Sequence, residues 1–220
     1  MSQETKNVVQ TEDGEKKIKL LSIAEMDQFW DTLDHDECCL YQKMDVDFIK
    51  RHEEDINFAL LSVNTHITFG ILDAFEDKIS WASICLNPKT LTDSLIYNYR
   101  GKMIWDLVLK NQQLNLKLLV VLSEIYKRVK TSPSKENRLN FWESVSRYQN
   151  LPIDYIDSYK KYINFEYLSS NKFLTGQIID KYIFKLNPSI LLRSINIPQW
   201  VLLKHKDFFT SVAKENQMMK

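Results

Sequence analysis

The chain has 220 residues, which is enough for one or two domains with a hydrophobic core. Only 4 glycines and 5 prolines occur, so tight turns of the β-hairpin type are scarce and an all-α fold is favoured. Lys and Arg together number 29, as do Asp and Glu, and this balance lacks the basic excess typical of nucleic-acid-binding modules.

Residues 1–18 are charged and show no hydrophobic periodicity, which predicts a flexible N-terminal tail. The segment lacks the apolar stretch of a signal peptide, and the longest apolar runs, such as LLVVL at 118–122, are too short to span a bilayer. Three cysteines, two of them adjacent, indicate reduced thiols rather than a disulfide framework. We therefore expect an intracellular protein without a membrane span.

From residue 19 to 209 the chain repeats a pattern of side-chain sizes. Each copy is numbered from an anchor residue, so that +3 lies three residues after it. The residues at +3, +9, +13, +14 and +17 are mostly aliphatic or aromatic, and the anchors are Phe58, Trp81, Trp105, Trp142, Phe165 and Pro188. In the Trp81 copy, every position after +3 comes one residue late. An earlier copy is placed at Trp30, because YQKMDVDFI at 41–49 matches YQNLPIDYI at 148–156.

The spacing within each copy predicts a pair of helices. The steps between the later positions place their side chains on one face of a longer helix, and the anchor with +3 forms a shorter helix before it. Asn150 ahead of Leu151–Pro152 suits a helix start, with the asparagine as cap and the proline in the first turn. One such hairpin cannot bury its apolar side alone, so neighbours must stack. We predict an α-solenoid-like stack of about six or seven helical hairpins of ~23 residues, forming one domain over 19–209.

One insertion interrupts the regular spacing. The anchors are 23, 24, 37, 23 and 23 residues apart, and the long interval contains the polar segment KRVKTSPSKENR at 127–138. We predict an inserted loop at about 127–139, and a basic loop of this kind can bind a neighbouring protein. Residues 210–220, which end in KENQMMK, are predicted to be a frayed C-terminal tail.

Four copies share a recognisable motif: WDLVLKNQQLNLKLL, WESVSRYQNLPIDYI and, less closely, WASICLNPKTLTDSLI and FEYLSSNKFLTGQII. The order Trp-x-x-aliphatic, Gln-x-Leu, then an aromatic or aliphatic residue followed by Ile resembles the short helical-repeat proteins of nucleocytoplasmic large DNA viruses. Two copies carry the glutamine at +7, as Gln112 and Gln149, whereas the others carry Thr65, Pro88, Lys172 and Ile195. The resemblance implies protein–protein binding, within a virion, and no particular chemistry.

Side chains capable of chemistry are few. The segment DHDECC at 34–39 concentrates metal-capable groups, but its adjacent cysteines lack zinc-site spacing, and we interpret it as a polar loop with packed cysteines. Cys85 at +4 is expected to pack as a small hydrophobic residue, His66 to precede Ile67 at the start of a long helix, and His205 to take the +17 core position. Phosphate-loop, nucleophile-elbow and zinc-helix motifs are missing. We predict no catalytic, cofactor-binding or metal-binding residues.

The aromatic-rich stretch YQNLPIDYIDSYKKYINFEY at 148–167 allows two interpretations. Exposed rings could stack the bases of single-stranded nucleic acid, with Lys160 and Lys161 nearby. Tyr155 and Tyr159, however, fall in core positions of the repeat, and the neighbouring aspartates would repel phosphates. Packing is therefore the preferred interpretation.

These observations predict a non-enzymatic, structural or protein-binding helical-repeat protein and, on the resemblance, a viral minor capsid protein or virion assembly component. Its partners would be other proteins, such as capsid or virion proteins, without nucleic acid, a cofactor or a small-molecule ligand. Its expected location is the host cytoplasm and the virion. The alternatives are an intracellular adaptor that recruits a host protein and a nucleic-acid-associated packaging or transcription factor.

Overall fold

The computed structural model describes residues 8–10, 16–128, 135–194 and 197–210, with backbone only for 8–10, 16–18 and 194. Helices form nearly all of the regular structure of these residues, which confirms the predicted all-α class. Two strands, Val8–Gln10 (β1) and Lys16–Ile18 (β2), pair antiparallel within the segment predicted as a flexible tail, 1–18. Strands of three residues are too short to show an alternating pattern, so the sequence analysis did not foresee them.

Helix α1 (Ile23–Phe29) and a 3-10 turn (Trp30–Thr32) precede seven helix pairs, or hairpins, in the described part of the chain. The first helices are α2 (His35–Tyr41), α4 (Phe58–Leu61), α6 (Trp81–Leu86), α8 (Trp105–Asn111), α10 (Lys135–Tyr148), α12 (Phe165–Leu168) and α14 (Pro188–Ser194). The second helices are α3 (Val46–Arg51), α5 (Phe69–Ala74), α7 (Asp93–Asn98), α9 (Leu116–Tyr126), α11 (Ile153–Tyr159), α13 (Gly176–Tyr182) and α15 (Gln199–Lys204). Residues 206–210 are also helical.

The chain divides into two compact modules, Met1–Met103 and Ile104–Lys220. Within the N-terminal module, α2 contacts α4 and α3 contacts α5. Within the C-terminal module, α10 contacts both α8 and α12, and α13 contacts α15. These contacts join equivalent helices of successive hairpins. The repeat pattern runs through residue 103 without a visible break, which is why the sequence predicts one domain over 19–209.

The aliphatic positions of the repeat supply the core. Every +3 residue is at most 1% exposed: Leu61, Ile84, Val108, Val145, Leu168 and Leu191. The +14 position, one residue later in the Trp81 hairpin, is equally buried at Leu72, Ile96, Leu119, Ile156 and Ile179. Burying one such side chain contributes roughly 1.5–3 kcal/mol. A further core position, absent from the predicted pattern, lies near +21 and is buried at Ile56, Ile79, Met103, Ile163, Leu186 and Phe209.

The first hairpin begins at His35 and not at Trp30, which corrects the predicted register. Asp34 caps α2, because its Oδ1 accepts the Glu37 N–H at 3.0 Å, so DHDECC is helical instead of a loop. The pattern then fits from His35, with Cys38 at +3, Gln42 at +7, Ile49 at +14 and the next anchor 23 residues on. The pattern did not reveal this anchor, because a histidine is smaller and more polar than the Phe or Trp at most other anchors. The Trp30 ring stacks on it, with centroids 4.3 Å apart.

The insertion is shorter than predicted. Helix α10 begins at Lys135, so the last five residues of the predicted loop (127–139) are helical, and 129–134 lie outside the described residues. This helix is extended because its early turns pack on α8: Trp105 Nε1 donates to Asn137 Oδ1 at 2.9 Å, and the Phe141 ring meets the Trp105 ring at 5.0 Å. Of the predicted C-terminal tail, Thr210 is helical and 211–220 lie outside the described residues.

The starts of the second helices are marked by their capping residues. Thr68, Thr92 and Thr175 each accept the N–H three residues on, which satisfies one of the unpaired donors of a helix start. Helix α11 departs from the prediction, because Pro152 itself is the N-cap and Asn150 lies outside the helix. The proline carbonyl still accepts the Ile156 N–H at 3.1 Å, and its missing N–H costs nothing at this position.

Candidate protein-binding groove

A buried amide ties the turn of the Trp142 hairpin to the turn before it. Gln149 is 1% exposed, and its Nε2 donates to the carbonyls of Leu109 and Gln112 at 2.9 and 2.8 Å. Its Oε1 accepts the Leu114 N–H at 2.9 Å. Both ends of the amide are thus satisfied without water, so this side chain holds two successive turns in a fixed register.

Asn171 repeats this arrangement one hairpin later. Its Nδ2 donates to the carbonyls of Ser146 and Gln149, both at 2.9 Å, and its Oδ1 accepts the Phe173 N–H at 2.8 Å. In the N-terminal module, Asn64 donates to the carbonyls of Cys39 and Gln42 and accepts the His66 N–H. The amides therefore form a ladder along the turns of each module.

This ladder explains the copies that seem to depart from the repeat motif. In the Phe58 and Phe165 hairpins, an asparagine at +6 donates to carbonyls of the preceding hairpin, as the glutamine at +7 does in the Trp142 hairpin. Asn87, also at +6, donates to the Val63 carbonyl at 2.9 Å. The signal was present in the sequence as Asn64, Asn87 and Asn171. It was missed because only glutamine at +7 was counted.

A buried hydroxyl at +4 connects first helices in the same way. Ser146 donates to the Trp142 carbonyl at 2.7 Å, and its oxygen accepts the Asn164 N–H at 2.9 Å. Ser62 and Ser169 make the equivalent bonds to the N–H groups of Ser80 and Asn187. Each hydroxyl oxygen therefore accepts a hydrogen bond from the backbone N–H of the residue that precedes the next anchor.

The cysteines occupy core and ladder positions. Cys39 takes the +4 place, where the Asn57 N–H bonds to its sulfur, and Cys85 takes the same place beside the Met103 sulfur at 3.9 Å. Burial raises the pKa of Cys38 to about 12, so its thiol stays protonated at neutral pH and is a poor nucleophile or metal ligand. The predicted packing of these cysteines is confirmed, since all three are fully buried.

His66 and His205, which the sequence singled out, each form a hydrogen bond with a neighbouring side chain. His66 lies in the turn before α5 and bonds to Asn64 through its N–H, and His205 Nε2 lies 2.7 Å from Asp180 Oδ1. Within the part of the chain that the structure describes, no group of three or more His, Cys, Asp or Glu side chains is placed to hold a metal ion.

The rings at 155 and 159 pack inside the protein, in agreement with the preferred interpretation of this stretch. Tyr155 is 4% exposed and its hydroxyl lies 2.5 Å from that of Ser123. The Tyr159 hydroxyl donates to Glu124 at 2.9 Å, and burial together with this carboxylate raises the pKa of Tyr159 to about 12. Neither ring is available for base stacking.

A row of charged contacts joins the second helices. Asp157 at +15 pairs with Lys181 and accepts the Tyr182 hydroxyl at 2.7 Å, and these two bonds hold the pKa of Asp157 below its usual value. Asp180 pairs in the same way with Lys204 and His205. In the N-terminal module, Asp27 of α1 makes a similar pair of contacts, with Arg51 and His52 at the end of α3. In the Trp142 and Phe165 hairpins, the +15 carboxylate thus faces the next hairpin.

The clamped turns of the C-terminal module border an open groove of about 380 Å³. Leu116, at the start of α9, is 48% exposed and supplies open apolar surface to the groove. The rest of the lining comes from the turns of three hairpins and from α9: Gln113, Leu114, Leu119, Asn150, Pro152 and Phe173. The groove therefore follows three successive hairpins along their turn edge.

The walls of the groove are fixed by hydrogen bonds. Gln113 Nε2 donates to the Tyr148 carbonyl at 2.7 Å, and its Oε1 accepts the Asn150 N–H at 2.9 Å. Phe173 is held through its N–H by Asn171. Charged side chains are absent from this described lining, so the groove offers apolar contact with two amide side chains at its edge.

No known protein family, curated protein or solved structure matches this chain. Among the described residues, no helix combines the length and the apolar character needed to cross a membrane.

Proposed function

We propose that the protein is a non-enzymatic scaffold that binds other proteins through the groove along the turns of its C-terminal module. The hairpins of each module stack in α-solenoid fashion, and the stack presents the groove as a rigid surface. The observation that carries the proposal is the exposed Leu116 beside Pro152 and Phe173, on turns clamped by Gln149 and Asn171.

The groove suits an extended peptide segment of a partner protein. Its apolar floor would bury uncharged side chains, and the outer edges of Gln113 and Asn150 border it with polar groups. Because its walls are already ordered by hydrogen bonds, little conformational entropy is lost in the scaffold when a partner binds. This preorganisation supports binding, and the described lining contains no pair of groups arranged for proton transfer.

On the resemblance of its repeats to those of large DNA viruses, we further propose that the partners are capsid or virion proteins and that the chain is a minor virion component. This step is supported by WESVSRYQNLPIDYI and WDLVLKNQQLNLKLL alone. Purified virus particles stripped with detergent should retain the protein. Recovery only from the cytosol of infected cells would favour the adaptor that recruits a host protein.

The binding surface is tested with matched substitutions of exposed leucines. Leu116→Asp places a charge in the groove at the first residue of α9, where an acidic group suits the helix start. Leu139→Asp is the control, since Leu139 is 53% exposed in the same module and does not line the groove. Tagged versions of both variants and the parent are purified from the producing cells, and the proteins that accompany them are quantified.

We expect a defined set of proteins to accompany the parent and Leu139→Asp, and to fall at least about tenfold with Leu116→Asp. Circular dichroism should show the same helix content for all three. The proposal fails if all three recover the same proteins in equal amounts.

A further inference from the structure

The balanced charge of the whole chain conceals a division between the two modules. Met1–Met103 has 19 acidic and 11 basic side chains, a net charge of −8, whereas Ile104–Lys220 has 10 acidic and 18 basic ones, a net charge of +8. The basic excess that is typical of nucleic-acid-binding modules is therefore present in the C-terminal module alone. The balance of the whole chain does not exclude nucleic acid as a ligand of this module.

In the N-terminal module, ion pairs connect the loops that lead from one hairpin to the next. Glu53 at +18 pairs with Lys78, which is at +20 of the following hairpin. Glu76, again at +18, pairs with Lys102, which takes the +20 place of the Trp81 hairpin with its delay of one residue. A side chain at +18 therefore lies within ion-pair distance of the lysine at +20 of the next hairpin.

Two loops of the C-terminal module are hydrogen-bonded in the same way. In the Phe58, Trp142 and Phe165 hairpins, the carbonyl at +17 accepts the backbone N–H groups of +20 at 2.8–2.9 Å and of +21 at 3.0–3.1 Å. Lys185 Nζ lies 5.1 Å from the centroid of the Phe165 ring, as Lys78 Nζ lies 5.3 Å from that of Phe58. Lys185 thus takes the place of Lys78, but the +18 residue of the hairpin before it is Lys160 instead of a glutamate.

By this register, Lys160 and Lys185 are neighbours at a place where the N-terminal module has an ion pair. Both are exposed, and among the residues that the structure describes no carboxylate forms an ion pair with either of them. Asp157 is close enough to feel the charge of Lys160, but its oxygens are bonded to Lys181 and Tyr182. A bound anion would offset the repulsion between the two lysines, and phosphate is an anion that lysine binds well.

Exposed aromatic rings accompany the lysines of these loops. Phe184, which precedes Lys185, is 84% exposed. Tyr162, which follows the exposed Lys161, is itself 38% exposed and stacks its ring on that of Trp142, with centroids 5.0 Å apart. Cations that hold phosphates and rings that stack on bases are the combination with which proteins bind single-stranded nucleic acid. An acidic protein segment would use the lysines but not the rings.

We propose that the C-terminal module binds single-stranded nucleic acid along the loops between its hairpins, with phosphates at Lys160, Lys161 and Lys185 and bases at Tyr162 and Phe184. These loops follow the ends of the second helices, whereas the groove lies where second helices begin. The nucleic acid would therefore occupy a surface separate from the groove, and its binding does not depend on the proposed function.

Fluorescence anisotropy tests the proposal, with the full chain titrated into a labelled oligothymidylate of about 20 nucleotides. We expect binding at about 50 mM salt and at least about a tenfold loss of affinity at about 200 mM, because contacts with about three phosphates release counterions.

Lys160→Glu is the decisive variant, because it recreates with Lys185 the ion pair of the N-terminal module. The variant should keep its helix content by circular dichroism, while its affinity for the oligonucleotide falls at least about tenfold. Lys117→Glu makes the same change of charge at an exposed position in the first turn of α9, and because salt screens distant charges it should stay within about threefold of the parent. Phe184→Ala should lose at least about fivefold in affinity through lost stacking.

Three results would overturn the proposal. The first is an absence of binding at about 50 mM salt. The second is a Lys160→Glu variant that binds no more weakly than Lys117→Glu, which would mean that the loops do not hold the strand. The third is displacement of the oligonucleotide by polyglutamate at equal charge, together with an unchanged affinity of Phe184→Ala, which would assign the loops to an acidic protein. Protein recovery with Leu116→Asp is measured separately, so failure of one proposal leaves the other intact.

Discussion

Asn64 and Asn171 make the same three hydrogen bonds in different modules, each donating to two carbonyls of the preceding hairpin and accepting an N–H two residues ahead. Both amides are 1% exposed. Backbone groups at a turn must find partners when neighbours cover them, and these side chains provide them. The repeat is therefore defined by a polar position as much as by its apolar ones.

Removing one amide tests its contribution to stability. Asn171→Ala leaves the carbonyls of Ser146 and Gln149 buried without this donor, and we expect the free energy of unfolding to fall by about 3 kcal/mol. Asn150→Ala, at an exposed neighbouring turn position, should change it by less than about 0.5 kcal/mol. Urea unfolding followed by circular dichroism measures both. Equal midpoints for the two variants would contradict the role of the ladder.

The register of the core is tested by three aspartate substitutions at the same +14 position. Ile156→Asp and Ile179→Asp bury an unpaired charge and should each cost more than about 3 kcal/mol. Leu202→Asp, at the exposed copy of this position, should cost less than about 1 kcal/mol. Thermal melting at low protein concentration measures all three. Variants at 156 and 179 that melt like the parent would show that the register is wrong.

Two glycines at helix starts should respond oppositely to alanine. A Cβ at Gly70 would meet Val46 Cγ2 at 3.5 Å, an ordinary contact, so Gly70→Ala should stabilise by about 0.5–1 kcal/mol. At Gly176 it would lie 2.8 Å from Trp200 Cζ2 and 3.0 Å from Pro198 Cγ, so Gly176→Ala should destabilise.

The clash itself is tested by combining substitutions. Gly176→Ala in a Trp200→Ala background should lose most of its penalty, because the closest atom is gone. Differential scanning calorimetry compares the four proteins of this cycle. A penalty that persists unchanged would assign the effect to the backbone or to Pro198.

The charged row predicts a stability loss in acid. The hydrogen bond from Lys181 and, to a smaller extent, the one from Tyr182 lower the pKa of Asp157 in the folded protein below its ordinary value of 3.8. As the pH falls, this carboxylate is therefore protonated in the unfolded chain before it is protonated in the folded one. The stabilisation is complete above the unfolded pKa and is lost as the pH falls through the folded value. Asp180 and Asp27 behave alike, since the pKa of each is lowered by its own partners.

Asp157→Asn measures this contribution. The variant should melt below the parent at about pH 7, and the gap should narrow on going from about pH 5 to about pH 3. Added salt should reduce the gap at neutral pH, because the pair is solvent-exposed. A gap that is constant across this pH range would mean that the carboxylate charge is not involved.

Local spacing along the chain predicted the helix pairs, the anchors from Phe58 onwards and the aliphatic core positions. This was possible because the 3.6-residue period acts within one helix and needs no knowledge of neighbours. Ile156 and Ile179 were placed in the core on that basis, and both are fully buried.

Only the tertiary structure decided which polar atoms reach across hairpins. Asparagine at +6 and glutamine at +7 reach equivalent carbonyls from different positions, which a residue pattern cannot show. The start of the first hairpin at His35 likewise depends on the helix that Asp34 caps. Leu202 occupies a core position of the repeat pattern, yet it is 37% exposed in the part of the chain that the structure describes. Burial is a property of the neighbour as well as of the residue, and the groove exists because three distant turns are hydrogen-bonded side by side.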